Sequence, residues 1–147
     1  MPRHEESRVL PYSVPAVFDV VADVERYPEF LPWCLASRVY DCGEDSFTAD
    51  LVIGYKVLRE SYTSRVHLVP NQSVRIEYLS GPFKHLENTW SFSATPEGGC
   101  RVDFCIDFEF RSRLLQHLAS GLFTEIVHAM VQAFENRIAQ RVQDSVR

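Results

Sequence analysis

The feature that most limits what this chain can fold into is a row of apolar residues recurring at every fourth position near its C-terminus. The row is Leu114, Leu118, Leu122, Ile126, Met130, Phe134, Ile138 and Val142, with Leu115, Phe123, Val127 and Val131 beside it. Residues three and four apart share a helix face, so the spacing predicts one long helix from Arg111 to about Val142 carrying a single wide apolar stripe. About 32 residues rising 1.5 Å each make roughly 48 Å. A chain of 147 residues forms a globule only about 40 Å across. The helix is therefore expected to cross the whole domain and overhang it, with the mostly polar Gln140–Arg147 as the overhang. The remainder of a single domain over 1–147 must supply a surface that receives the stripe.

Most of that surface lies between Leu35 and Phe110, where the period changes to two. Phe47, Ala49, Leu51 and Ile53 alternate with Thr48, Asp50, Val52 and Gly54. Leu58, Tyr62, Val66 and Leu68 form an inner row, as do Val74, Ile76 and Tyr78, and then Leu86, Trp90 and Phe92. Val102, Phe104, Ile106, Phe108 and Phe110 give the cleanest alternation of all. Such patterns mark strands with one buried and one solvated face. Turn residues at Pro70–Ser73, Ser80–Phe83 and Thr95–Gly99 separate them, which favours an antiparallel meander.

Upstream, residues 6 to 12 read as a first strand. Ser13 is a helix N-cap with Pro15 tolerated in the first turn, opening a short helix over 14 to 24. Tyr27-Pro-Glu-Phe-Leu-Pro-Trp-Cys34 holds two prolines and four large apolar side chains, and reads as a second helical turn and a loop packed on the body. These elements predict an α+β architecture: a curved antiparallel sheet of about seven strands wrapped around the long helix, with two short helices after the first strand. The inner face is unusually aromatic, and rigid rings against a single helix leave room for an apolar cavity. Its candidate walls are Trp33, Leu51, Ile53, Tyr62, Ile76, Tyr78, Phe83, Trp90, Phe92, Phe104, Ile106, Phe108, Leu118, Leu122, Phe123 and Met130.

Charge and motif content exclude several function classes. Fifteen basic against twenty acidic residues give a net charge of −5, which argues against a broad nucleic-acid footprint and against DNA as a partner. No apolar run approaches the length of a membrane span. The N-terminus has no apolar export segment, so the four cysteines are expected as reduced thiols of an intracellular protein. No Cys-x-x-Cys pair and no His or Cys at ligand spacing suggests a metal. The carboxylates Asp103, Asp107 and Glu109 share the solvated face of one strand, and Ser112 and Ser120 read as helix-surface residues. Only Tyr62, Tyr78 and Asn88 are polar on the inner rows, too few for an acid/base site. Gly121, costing about 1 kcal/mol relative to alanine inside a helix, suggests a kink, a close approach to the sheet, or room left for a ligand.

The Tyr27–Cys34 run, with Trp90-Ser-Phe92, Val102-Asp-Phe104, Asp107-Phe-Glu-Phe110 and Ala133-Phe-Glu-Asn-Arg137, resembles the coenzyme Q-binding branch of the START-like (polyketide cyclase/lipid transport) superfamily over nearly the whole chain. The resemblance implies a helix-grip fold. It implies binding of a polyprenylated quinone such as ubiquinone, or a similar lipid, in a sheet–helix cavity, as a carrier or chaperone supporting respiratory electron transport. It supplies no catalytic residues, no metal, and no cofactor beyond that bound ligand. The Tyr27–Cys34 loop would border or gate the entrance, and transient contact with a membrane surface would accompany such a role. The same branch includes a bacterial ribosome-association toxin, so an alternative is a regulator that binds the large ribosomal subunit through Arg111, Arg113, Arg137 and Arg141. A third reading is an aromatase/cyclase-type enzyme. Lack of a targeting peptide fits a bacterial, cytoplasmic protein, peripheral at the inner face of the membrane.

Overall fold

The computed structural model describes residues 3–55 and 58–145, so Val146 and Arg147, the end of the polar tail read above, lie outside the described residues. The strands are β1 (Arg3–Leu10), β2 (Cys34–Tyr40), β3 (Ser46–Tyr55), β4 (Leu58–Val69), β5 (Ser73–Ser80), β6 (Phe83–Ala94) and β7 (Cys100–Phe110). Helix α1 (Val14–Ala22) and a 3-10 helix (Val24–Glu29) connect β1 to β2, and α2 (Arg113–Ser145) closes the chain. All seven strands form one antiparallel sheet in the order β1-β7-β6-β5-β4-β3-β2. The meander from β2 to β7 is the one the alternation predicts. β1 adds itself beside β7, and the two short helices carry the chain from one sheet edge to the other.

The sheet curves because its ladders are interrupted. Register shifts fall at Cys34/Ala36, Thr63/Ser64 and Phe83/His85. An extra residue in one strand bends it and increases its twist. The shift in β6 also re-aims Phe83. Simple alternation places an odd-numbered residue of β6 outside, with Glu87 and Ser91. After the bulge Phe83 faces inward, is 4% exposed, and stacks on Phe110 at 4.5 Å between ring centroids. Phe83 is thus the first residue of a strand rather than part of the preceding turn. Beside it, Gly81 (φ 144°) lies so close to β4 that a Cβ there would sit 2.6 Å from Tyr62 Cβ. Neither the backbone angle nor the space admits a side chain.

Helix α1 begins as its sequence requires. Ser13 Oγ accepts from Ala16 N at 3.4 Å and Pro15 lies in the first turn. Ser112 is exposed, as its sequence reading has it, and also caps α2: its hydroxyl accepts from Leu115 N at 3.3 Å. Helix α2 has 33 residues, about 50 Å at 1.5 Å per residue.

Its buried face is not the row of fourth residues. A step of four advances about 400°, so the row drifts about 40° each time and winds around the helix. Leu114 and Phe134 lie five steps, or about 200°, apart. Leu114 is accordingly 68% exposed while Phe134 is 5% exposed. The face that meets the sheet mixes steps of three and four: Ala119, Val127, Met130, Val131, Phe134 and Ile138 are buried, with Phe123 half-buried among them. Packing is uneven along the axis. From Val127 onward the helix buries large side chains; before it, Ala119 is the only fully buried residue, and Leu115, Leu118, Leu122, Phe123 and Ile126 are half-exposed.

Gly121 is exposed, and a Cβ there would meet nothing within 4 Å. It makes no close approach to the sheet. Gly121→Ala is therefore expected to raise stability by up to about 1 kcal/mol, measured by urea unfolding, and to leave ligand affinity unchanged. A loss of stability would show that the helix is not regular at this point.

The outer face of the sheet is tied by polar groups. Asp50 on β3 accepts from Thr63 Oγ1 on β4 at 2.7 Å, from Arg38 on β2 at 2.9 Å and from the Tyr40 hydroxyl at 3.0 Å. These bonds, that from Thr63 foremost, hold its carboxyl below the usual carboxylate range against the opposing effect of burial. A depressed carboxylate stabilises the fold fully above its unfolded pKa, and the contribution disappears as pH falls through the folded value. Asp50→Asn is expected to be less stable than the native protein at neutral pH, with the difference closing below about pH 4. Thermal melts of both proteins from pH 7 to pH 2 check this, and a difference independent of pH would contradict it.

Candidate functional site

Three elements converge on the concave side of the sheet: the Tyr27–Cys34 loop, the inner rows of β3 to β7, and α2. The loop is held in place by backbone bonds, Leu31 N to Tyr27 O at 2.9 Å, Cys34 N to Leu31 O at 3.1 Å and Gly54 N to Trp33 O at 2.8 Å. Tyr27 donates its buried hydroxyl to Val21 O. Its ring meets Phe30 at 5.8 Å and Phe134 at 5.5 Å, edge to face, and Phe134 in turn meets Trp90 at 5.0 Å. A second aromatic group, centred on Phe83, gathers Tyr62 at 5.4 Å, Tyr78 at 5.5 Å and Phe108 at 5.9 Å.

Between these groups the packing is incomplete. One chamber of about 70 Å³ is walled by residues of both sheet and helix, among them Tyr27, Trp33, Leu51, Tyr62, Ser64, Ile76, Leu86, Asn88, Trp90, Met130 and Phe134. A second, of about 90 Å³, is walled by Ile53, Phe83, Phe108, Phe110, Ala119, Phe123, Ile126 and Val127. Trp33, Tyr62, Leu86, Ile106 and Met130 line both, so the two are adjoining spaces.

Of the sixteen residues proposed from sequence, Trp33, Leu51, Ile53, Tyr62, Ile76, Phe83, Trp90, Ile106, Phe108, Phe123 and Met130 lie on these walls. Five do not. Leu118 and Leu122 are carried off the inner face by the drift of the fourth-residue row and line neither chamber. Phe92 packs under α1 against Phe18 at 5.7 Å. Tyr78 backs Phe83, its hydroxyl accepting from Phe83 N at 3.0 Å. Phe104 stacks on Trp90 at 5.0 Å and faces a separate sliver of about 30 Å³ beside Arg8 and Glu135. The walls also include residues outside the sixteen: Val24, Tyr27, Ser64, Val66, Leu86, Asn88, Phe110, Ala119, Ile126, Val127 and Phe134. Ser64 and Ala119 are small and carry no hydrophobic signal, although Ser64 sits in phase with Tyr62 and Val66.

The chambers hold few polar groups. Asn88 is occupied: its Oδ1 accepts from Trp90 Nε1 at 3.1 Å and its amide donates to Cys105 O at 3.4 Å. The Trp33 indole N–H is buried and has no acceptor. An unpaired buried donor costs about 1–3 kcal/mol. Burial pushes the Tyr27 and Tyr62 phenols up, so both stay protonated. Burial likewise pushes the Cys34 thiol up to about 11, which leaves it a poor nucleophile at neutral pH. Among the described residues no Asp, Glu, His, Lys or Arg lines either chamber, and no group of three or more His, Cys, Asp and Glu side chains is placed to hold a metal.

A wider cleft of about 370 Å³ lies outside the sheet–helix space, between α1, the 3-10 helix and the end of α2. Its walls carry Asp19, Asp23, Arg26, Arg137 and Arg141. Arg26 reaches Asp23 at 3.2 Å and Arg137 reaches Glu29 at 2.6 Å, so its charges are largely matched within the cleft and at its rim. Such a surface does not suit an apolar molecule. The four arginines weighed for a ribosome do not form one patch: Arg113 and Arg137 are 24 residues apart on α2, about 36 Å along its axis.

Comparison with known proteins agrees with this geometry. The model of a family described as polyketide cyclase/dehydrase and lipid transport matches residues 10–135. Over 138 residues the chain is 41% identical to coenzyme Q-binding protein COQ10 homolog B, mitochondrial, of Xenopus laevis, covering 91% of this chain and 57% of that protein. The chain thus spans little more than half the length of that relative. It is 38% identical over 136 residues to ribosome association toxin RatA of Pseudomonas aeruginosa, covering 92% and 94% of the two chains. The solution structure of the 18 kDa protein CC1736 from Caulobacter crescentus superposes with a TM-score of 0.80 at 32% identity, over 97% of this chain and 99% of the other. The ZhuI aromatase/cyclase of Streptomyces reaches 0.83 at 16% identity, over 96% and 95%, and attests the fold alone. An open seven-stranded sheet gripping a C-terminal helix, and a family match over most of its length, place this chain in the polyketide cyclase/dehydrase and lipid transport family.

Proposed function

We propose that this protein is a non-enzymatic carrier of a polyprenylated quinone, or of a lipid of similar shape, held between the sheet and α2. The observation that carries the reading is the pair of adjoining chambers: aromatic and aliphatic walls, few polar groups, no ionised side chain among the described residues. An apolar molecule gains there what it loses in water. An acid or base poised for chemistry has no place in those walls, which favours binding over catalysis. The resemblance to a coenzyme Q-binding protein points to the ligand class.

The chambers, about 70 and 90 Å³, are well below the 300–1,000 Å³ or so of a site that encloses a drug-sized ligand. Loading therefore requires α2 to part from the sheet. The first half of α2 is where that motion costs least, because its side chains there are half-exposed and Ala119 alone is fully buried. Extraction of purified protein with organic solvent, mass spectrometry of the extract, and titration with a short-chain ubiquinone test the proposal. Saturable binding is expected. No co-purifying lipid together with no saturable binding would remove it.

Ribosome binding is a second reading, favoured by the near full-length match to the Pseudomonas RatA. It requires a contact at one end of α2, since the arginines are split between two. Co-sedimentation with ribosomes that is abolished by charge reversal at Arg111 and Arg113, or at Arg137 and Arg141, would favour it over the carrier.

A further inference from the structure

The two tryptophans of this chain line the same chamber, and their indole N–H groups are treated differently. That of Trp90 is paired with Asn88 Oδ1 at 3.1 Å. That of Trp33 is buried with no acceptor. Trp33 is not free to drift to one, because its own carbonyl accepts from Gly54 N at 2.8 Å and the next residue is tied back to Leu31. The nearby Tyr27 hydroxyl already donates to Val21 O. Trp33 lines both chambers, and its unpaired buried donor is satisfied only when an acceptor is brought to it.

We infer that the Trp33 indole N–H reads the polar end of the bound molecule, and that this end is a neutral acceptor such as a ring carbonyl. The inference rests on the carrier reading above and narrows it. Neutrality follows from the walls. A carboxylate or phosphate headgroup would be desolvated there with no Arg, Lys or His among the described wall residues to match it. Tyr62 lines both chambers and keeps its proton, so it can supply a second donor to the same ring. Polarity also sets the direction. Ser64 and Asn88 line the chamber shared with Tyr27, whereas the chamber beside Phe83, Ala119 and Phe123 is apolar apart from the shared Trp33 and Tyr62. The ring end lies in the first, and the tail runs through the second toward the loosely packed half of α2.

The test compares the native protein with Trp33→Phe, which keeps an aromatic ring and removes the N–H. Three probes are titrated: a short-chain ubiquinone, an alkylbenzene of similar length with no acceptor, and decanoate. With ¹⁵N-labelled protein the two indole signals are assigned by the substitution. The quinone is expected to shift the Trp33 indole signal downfield, and the alkylbenzene to leave it unshifted. Trp33→Phe is expected to weaken quinone binding about tenfold, to leave the alkylbenzene within about twofold, and decanoate is expected to bind the native protein more weakly than either. Equal quinone affinity in both proteins, or equal losses for quinone and alkylbenzene, would overturn the inference, as would decanoate binding as tightly as the quinone. A native protein that binds none of the three removes the carrier reading itself, which is a distinct result.

Discussion

Phe134→Ala is expected to be the most damaging single truncation on α2. The side chain is 5% exposed, and its ring meets Tyr27 at 5.5 Å, Phe30 at 5.4 Å and Trp90 at 5.0 Å. It therefore joins the helix to the two-proline loop on one side and to β6 on the other. Removing a buried phenylalanine costs about 3–5 kcal/mol, from lost transfer energy and from the cavity left behind. Edge-to-face pairing with three partners places this site toward the upper end. For a chain of this size the melting temperature should fall by on the order of 10 °C. Loss of Phe134 also frees the loop that positions Trp33, so ligand affinity should fall beyond what stability alone explains. Phe134→Leu, which refills most of the space, should recover most of the stability. A melting temperature within about 2 °C of the native protein would show that the loop is held by something other than this ring.

Met130→Trp is expected to have the largest effect on binding with the least effect on folding. Met130 lines both chambers and is 5% exposed. Methionine is flexible and fills irregular space loosely, so the native residue leaves the chambers open. The added bulk of an indole can be taken up by spaces of about 70 and 90 Å³. Overpacking costs about 1–3 kcal/mol where no void exists, and less here because one does. Saturable quinone binding should drop by about a hundredfold or more, while the unfolding midpoint changes little. Titration and urea unfolding on the same preparation separate the two effects. Undiminished binding would mean that the ligand sits outside these chambers.

Much of the architecture was readable without coordinates because apolar periodicity reports directly on which face of an element is buried. The period-two rows of β7 reappear as buried Val102, Phe104, Phe108 and Phe110. The helix cap at Ser13 and the loop after Tyr27 came from local chemistry that needs no tertiary context. The candidate site was readable in kind but not in detail. Phe83 is legible as a large aromatic, but only the bulge between Phe83 and His85 explains why it points inward. Leu118 and Leu122 belong to a row that a helix of 3.6 residues per turn rotates away from the sheet. Ser64 and Ala119 are silent in the sequence, because a small side chain reveals nothing about its surroundings until the opposing surface is known.

The sequence by itself determined that an antiparallel meander had to receive one long amphipathic helix, since each carries the largest apolar face available to the other. Only the tertiary structure decided how well the two surfaces fit. Packing density depends on where bulges bend the sheet and on the rotation of the helix about its axis, and neither is encoded in a pattern of apolar and polar letters. That fit leaves two small adjoining chambers, one loosely held half of α2, and an indole N–H in the wall with nothing to bond to.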